Sequence, residues 1–316
     1  MTIRTRETAD QRPDDPTDRQ VWTTRVRVPT FVVAAIQAAR PRQWPKNLLV
    51  FAAPLAGASL GRQDGFGYAL VAFVAFTAAA SAVYLINDVV DVERDRLHPV
   101  KRLRPVAAGR LPQPAALTLA IALLAGAVLC SLLIREPMLA VVIGLYAALS
   151  LLYSAGLKHV PWLELALVGN GFVLRALGGA VATHVPPSGW FLTVCSLGAL
   201  MVASGKRYSE LASLGDRAAA HRPVMRWYSA AQLRAFQRVA IAGLLAAYFA
   251  WALTSGTAWM RGWHLVSLVP LVVALIRFDW LTPRADGRPV EDLISRDRVM
   301  VGCELTWLGL FLVGLV

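Results

Sequence analysis

The chain has 316 residues, 56% of them hydrophobic, with 32 Lys and Arg against 20 Asp and Glu for a net charge of +12, and a mean hydropathy of +0.51. That composition excludes a soluble globular domain and describes a polytopic membrane protein. Nucleic acid is excluded as the partner of the positive charge by where the charge lies: with the first span running outward, 28 of the 32 Lys and Arg fall on one side, leaving only Arg62, Arg135 and Arg261 opposite and Arg175 inside a span. This is the positive-inside asymmetry, and it puts the N-terminus at the cytoplasmic face of the cell membrane.

Residues 1–29 are rich in Arg, Asp, Thr and Pro and hold no apolar core. They predict a disordered cytoplasmic tail and no signal peptide. Residues 30–316 then form one transmembrane domain, an all-α polytopic bundle of about nine helices. The apolar runs are Asn47–Leu60, Gly65–Val90, Ala115–Ile134, Met138–Tyr153, Trp162–Val181, Trp190–Ala203, Val239–Leu253, His264–Ile276 and Val299–Val316.

Ahead of the first run lies Arg40-Pro41-Arg42-Gln43-Trp44-Pro45-Lys46-Asn47, a basic interfacial segment. Trp44 suits headgroup level, and Lys46 and Asn47 would stand at a helix start, where donors can meet an anion. As an anchor alone the segment would need no further role; as a binding element, Lys46 reaches a phosphate.

The second run ends in Asn87-Asp88-Val89-Val90-Asp91-Val92-Glu93-Arg94-Asp95. On a continuous helix Asp88, Asp91 and Asp95 fall within roughly 60° of one another, so their oxygens would converge. Asp88 follows an apolar run, where a carboxylate without a partner is costly. Such a face suits Mg2+, which takes one or two carboxylates plus substrate phosphates. Glu93 points elsewhere and is expected to be solvated or paired with an Arg. Behind His98-Pro99 come Lys101, Arg102, Arg104 and Arg110, cations suited to phosphate.

After the fourth run, Tyr153 and Lys158 flank a turn at Gly156 on the same side as the acids; Lys158 is a candidate phosphate contact and Tyr153 an orienting hydroxyl. In the fifth, Arg175 is an intramembrane cation and a functional candidate by its cost alone, with Asn170 expected on the same polar seam. Gly169, Gly171, Gly178 and Gly179 let backbones approach closely. Gly205-Lys206-Arg207-Tyr208-Ser209-Glu210 follows the sixth run, and one of its two cations is expected to touch a ligand. Together with Arg277–Arg298 after the eighth, four polar loops face one side above an apolar chamber. Cys130, Cys195 and Cys303 lie in apolar runs without metal-ligand spacing and read as packing residues.

Taken in order, Arg40–Leu55, Asn87–Asp95, His98–Gly109, Tyr153–His159, Gly171–Gly179 and Gly205–Leu211 resemble the UbiA superfamily of intramembrane prenyltransferases. Within it the likeness is to the branch that transfers the phosphoribosyl group of 5-phosphoribosyl-1-diphosphate to decaprenyl phosphate. The resemblance implies a single catalytic domain over 30–316, with its active site at the cytoplasmic face. It implies Asp88, Asp91 and Asp95 on Mg2+ and the diphosphate, and Lys101, Arg102, Arg104 and Lys158 neutralising the donor's oxygens. Lys46, with Lys206 or Arg207, would serve the acceptor or the 5-phosphate, while Asn47, Asn87, Tyr153, Asn170 and Arg175 line the binding region. The product would feed arabinan cell-wall synthesis, and the polyprenyl phosphate would enter sideways from membrane lipid. Aromatic prenyltransferases of the superfamily carry a second acidic motif where this chain offers Glu164 alone. That departure counts against the alternative of an aromatic prenyltransferase. A transporter or lipid-binding protein is disfavoured because nearly all ionisable residues sit at the edge of the bilayer rather than its middle. A homo-oligomer is compatible with these residues, though none of them specifies one.

Overall fold

The computed structural model describes residues 30–61, 63–285, 294 and 296–315. The tail expected to be disordered, residues 1–29, lies outside them, as do Arg62 and residues 286–293 and 295 of the fourth polar loop. The all-α class holds: the described residues form helices with no strand among them, and seven of the helices are long and apolar enough to cross a membrane. Helix α1 is Thr30–Ala38 and α2 is Ala52–Ala56, with a 3-10 segment, Pro41–Phe51, between them. There follow α3 (Gly65–Val90), α4 (Val92–Leu97), α5 (Gln113–Leu133), α6 (Pro137–Ala155), α7 (Leu163–Ala182), α8 (Gly189–Leu214), α9 (Ala218–His221), α10 (Ala230–Thr254), α11 (Ala258–Leu281) and α12 (Arg298–Val313).

The expected first span, Asn47–Leu60, is 3-10 rather than α-helical up to Phe51 and α-helical only over Ala52–Ala56. Pro45 brings no N–H and its ring crowds the preceding turn, so the chain tightens into a 3-10 coil of unusual length. At ~2.0 Å per residue there and ~1.5 Å through α2, the pair still reaches about 30 Å, close to the thickness of a hydrocarbon core. The last expected span, α12, is 16 residues long. Elsewhere the helices outrun the apolar signal. Helix α8 carries Lys206, Arg207 and Glu210 within its length instead of in a loop. Helix α10 starts at Ala230, where a reciprocal cap between Ser229 and Gln232 satisfies the first N–H groups.

In a membrane the drive for helix association is close packing rather than escape from water. Helix α3 shows how the sequence provides it. Ala69, Ala72, Phe76, Ala79, Ala80 and Val83 recur at helical spacing and are buried, while Phe66, Leu70 and Val74 form an exposed stripe suited to lipid. Helix α3 packs against α5, α6 and α7, and the 3-10 segment lies against both α3 and α7. Gly179 makes that last contact possible, because a Cβ there would lie 1.7 Å from the carbonyl oxygen of Val50. Gly178 does the same for Phe76, whose ring would meet a Cβ at 2.1 Å. Helices α7, α8, α10, α11 and α12 continue the bundle in neighbouring pairs.

Candidate active site

Helix α3 stops at Val90, two residues beyond Asp88. Asp91 breaks it with φ −90° and ψ 5°, and α4 restarts at Val92. The continuous face expected for Asp88, Asp91 and Asp95 is therefore interrupted at its middle member. Asp88 and Asp95, both only 2% exposed, converge from either side of the break. Arg104 bridges them, its Nη1 donating to Asp95 Oδ2 at 2.7 Å and to Asp88 Oδ1 at 3.2 Å, and Arg40 Nη2 donates to Asp88 Oδ1 from the other side. Asp91 has a side chain 29% exposed and pairs with Arg94 at 3.7 Å. Among the described residues no three His, Cys, Asp or Glu side chains gather closely enough to hold a metal as they stand. Two carboxylates sharing one guanidinium nevertheless aim oxygens at one point, and that is the donor set Mg2+ takes when phosphates and water complete its shell. Glu93 is exposed and paired with Arg96 at 2.9 Å, as expected.

Below this mouth, α3, α6, α7, α8 and the 3-10 segment enclose a cavity of about 250 Å³. Five of the expected binding residues line it: Lys46, Asn87, Tyr153, Arg175 and Lys206. Its lining also includes Tyr84, Tyr146 and Ser150 and, among the described residues, no Asp or Glu. Arg175, 6% exposed, holds the deep end. Its Nε donates to Asn47 Oδ1 at 2.7 Å, Nη1 to the Gly171 carbonyl at 2.6 Å and Nη2 to the Tyr146 hydroxyl at 2.9 Å, and its guanidinium stands 4.6 Å over the Tyr146 ring. Asn47 is fixed in turn by donating to Thr77 Oγ1 at 3.0 Å. Asn47 thus meets the arginine rather than the cavity directly.

The two adjacent cations of α8 part company because neighbours on a helix point about 100° apart. Lys206 faces the cavity. Arg207 turns to Glu164 on α7 and grips it with two bonds, Nε to Oε1 at 2.7 Å and Nη2 to Oε2 at 2.8 Å. Arg207 also pairs with Glu210 at 3.0 Å, and Arg222 reaches Glu164 at 3.3 Å. The Tyr153 hydroxyl, at the cavity wall, accepts from Arg222 Nη1 at 3.0 Å and Arg207 Nη2 at 3.4 Å. Tyr228 closes the cluster, accepting from the Trp162 N–H at 2.9 Å, and burial holds its phenol above the usual range. Glu164, expected to stand alone, is thus accompanied by Glu210, but arginines occupy both.

Several expected residues lie apart. Lys101 and Arg102 are exposed on a 3-10 turn, where His98 Nδ1 accepts from the Val100 and Lys101 N–H groups. Lys158 is half-buried on the turn Leu157–His159 and does not line the cavity. Asn170 does not share the seam of Arg175: five positions along α7 turn it about 140° away, and it lines a second cavity of about 180 Å³ toward α8. Sequence reasoning missed Arg40 as a partner of Asp88, and Tyr146 and Arg222 altogether. The sequence signal at Arg40 was its place before Pro41, which disfavours continuing the helix; in the structure it adopts a left-handed φ of 54°, held only at some cost by a non-glycine residue.

The profile of the UbiA prenyltransferase family matches residues 28–291. A decaprenyl-phosphate phosphoribosyltransferase from Mycobacterium tuberculosis is 39% identical over 88% of this chain and 93% of its own length. One of the same name from Corynebacterium glutamicum is 40% identical over 86% and 83%. In three dimensions a UbiA homologue from Archaeoglobus fulgidus, solved with DMAPP and Mg2+, covers 89% of this chain and 98% of its own with a TM-score of 0.67 at 16% identity, a likeness of fold. The interrupted acidic mouth over a cation-lined chamber is thus built on the fold of that profile, and the chain belongs to the UbiA prenyltransferase family.

Proposed function

We propose that this chain transfers the 5-phosphoribosyl group of 5-phosphoribosyl-1-diphosphate to a polyprenyl phosphate such as decaprenyl phosphate, releasing diphosphate, at the cytoplasmic face of the cell membrane. The observation that carries the reading is the layout of charge. Two buried acids converge at the mouth, and Lys46, Arg175 and Lys206 line a chamber free of carboxylates among the described residues. A donor with phosphate at both ends matches that layout. The relatives named above, which carry this activity in their names, support it.

In this reading Asp88 and Asp95 hold Mg2+, with Asp91 at the helix break beside them. Bound there, the ion would supply positive charge to the leaving diphosphate. Arg40 and Arg104, seated on those carboxylates, would be within reach of the diphosphate oxygens if Mg2+ were bound to Asp88 and Asp95. Lys101, Arg102 and Lys158 add positive potential around the mouth, which raises the local concentration of an anionic donor. Charge develops on the leaving group as its bond to C1 breaks, so fixed cations there lower the barrier most. An oxygen of the acceptor phosphate forms the new bond to C1, and the electron pair of the broken bond departs with diphosphate. That acceptor is anionic at pH 7, so no general base is needed, and in-line attack inverts C1 to a β-linked product. The chain's apolar, lipid-facing helices suit a prenyl tail that stays in the bilayer.

The test is purified protein in detergent with Mg2+, labelled phosphoribosyl diphosphate and decaprenyl phosphate, scored for lipid-extractable label. Wild type is expected to label the lipid and Asp88→Ala to abolish it. Absence of label from wild type with any polyprenyl phosphate overturns the reading.

A further inference from the structure

Arg175 lies about 18 Å along α7 from its first residue, deep beneath the acidic mouth. Its hydrogen bonds go to three neutral oxygens, those of Asn47, Gly171 and Tyr146. Among the described residues no carboxylate is a hydrogen-bond or ion-pair partner of Arg175. A guanidinium carries five N–H donors, so the three bonds leave part of its donor set for the chamber it lines. Burying such a group without a counter-charge is costly, and proteins keep one in a membrane where a ligand or pathway uses it. Arg207, the other buried arginine near the chamber, shows the contrasting solution, with Glu164 clamped by two bonds. Lys46 and Lys206 line the same chamber.

We propose that Arg175 is the specificity-determining residue of the chamber: it receives a phosphate monoester at the floor and denies that depth to an isoprenoid chain. The proposal rests on the phosphoribosyl reading above and assigns to Arg175 the donor's 5-phosphate, with the diphosphate at Asp88 and Asp95. Tyr146 and Ser154 of α6 both line the cavity, and they are about 12 Å apart along the helix axis. A pentose bearing phosphate at both ends is suited to bridge floor and mouth. A prenyl chain laid against the same guanidinium would strip it of water and offer no acceptor in return, an unfavourable exchange. A phosphate monoester is also the headgroup of the lipid acceptor, so the experiment must separate the two sources.

The informative variant is Asn47→Asp. It places a carboxylate of nearly the same size where Oδ1 now accepts from Arg175 at 2.7 Å, so the arginine is neutralised in place while the packing is kept. The Thr77 hydroxyl, which now accepts from Asn47, can donate to the new carboxylate. Calorimetric titration of the full chain in detergent with ribose 5-phosphate, ribose and geranyl phosphate reads the effect. Wild type should bind ribose 5-phosphate and not ribose. Asn47→Asp should bind ribose 5-phosphate at least tenfold more weakly, with an equal or higher Tm and an unchanged affinity for geranyl phosphate. Unchanged ribose 5-phosphate binding overturns the proposal, and so does a loss confined to geranyl phosphate, which would give the floor to the acceptor. If Asn47→Asp does not fold, Arg175→Gln in the same titration decides by the same criteria. Wild-type transfer of phosphoribosyl groups with a donor KM untouched by Asn47→Asp sinks this inference alone, whereas no transfer by wild type sinks the functional reading instead.

Discussion

Asp88, Asp91 and Asp95 look equivalent along the sequence, yet their surroundings rank them. Asp88 and Asp95 are buried and share Arg104, while Asp91 sits at the helix break with a partly exposed side chain. Asp88→Asn and Asp95→Asn should each lower transfer about 100-fold or more, in the range expected when an electrostatic group aimed at developing charge is removed. Asp91→Asn should cost about tenfold or less, a contrast read by kcat/KM at saturating Mg2+. Glu164 sets a different kind of expectation. It is fully buried between Arg207 and Arg222, so Glu164→Gln takes from the buried Arg207 its two-bond partner and leaves it Glu210 at 3.0 Å, which should destabilise the fold by about 3 kcal/mol. A fall in Tm in detergent checks it, and an unchanged Tm would contradict it. Arg175 and the acids were legible in the sequence because charge in an apolar run has few explanations. The choice between Lys206 and Arg207 was not legible, because it is made by Glu164, which lies 43 positions away and reaches α8 only through the fold.

The 3-10 segment Pro41–Phe51 is the element that ties mouth to floor. It begins at Arg40 on Asp88, places Lys46 in the cavity wall and sets Asn47 on Arg175. Its seat on α7 depends on Gly179. Gly179→Ala would drive a Cβ to 1.7 Å from Val50 O, so the segment must shift. Tm and donor affinity should both fall, whereas Gly144→Ala on α6, with open space around the new Cβ, should leave them unchanged. At the far end, Asp297 caps α12 by accepting from the Met300 N–H at 3.0 Å and pairs with Arg277 at 2.8 Å. The guanidinium, then the amide, hold its carboxyl below the ordinary 3.8. Because the folded value lies below the unfolded one, this stabilisation is complete above about pH 4 and is lost as pH falls through the folded value. Protection factors of the first-turn amides of α12, corrected for the intrinsic pH dependence of exchange, should therefore hold steady above about pH 4 and fall as the pH drops below 3.8. High salt should weaken the effect. Apolar runs revealed most of the helices. They could not reveal the 3-10 coil, which depends on two prolines and the seat at Gly179, or the polar ends of α8 and α10, where caps and ion pairs extend a helix beyond its hydrophobic stretch.

At the scale of the molecule, an all-helical membrane bundle follows from composition and from the one-sided Lys and Arg. An apolar chamber was expected beneath the polar loops, but the cations that line it did not follow from composition. A cavity needs α3, α6, α7 and α8 brought together, and only then do Lys46, Asn87, Tyr153, Arg175 and Lys206, spread from position 46 to position 206, become one lining. The same assembly separates Asn170 and Lys158 from it, although both lie near site residues in sequence. What the bundle encloses is a largely apolar chamber studded with Lys46, Arg175 and Lys206 beneath an acidic rim, and those cations, with no carboxylate beside them in the described lining, suit a doubly phosphorylated sugar. The most direct measurement gives the purified protein both donors in parallel with Mg2+: phosphoribosyl diphosphate with decaprenyl phosphate, and a polyprenyl diphosphate with an aromatic acid. Diphosphate release coupled to a phosphoribosylated lipid in the first reaction, and none in the second, is the predicted result. Turnover of the prenyl diphosphate without any phosphoribosyl transfer would contradict the account.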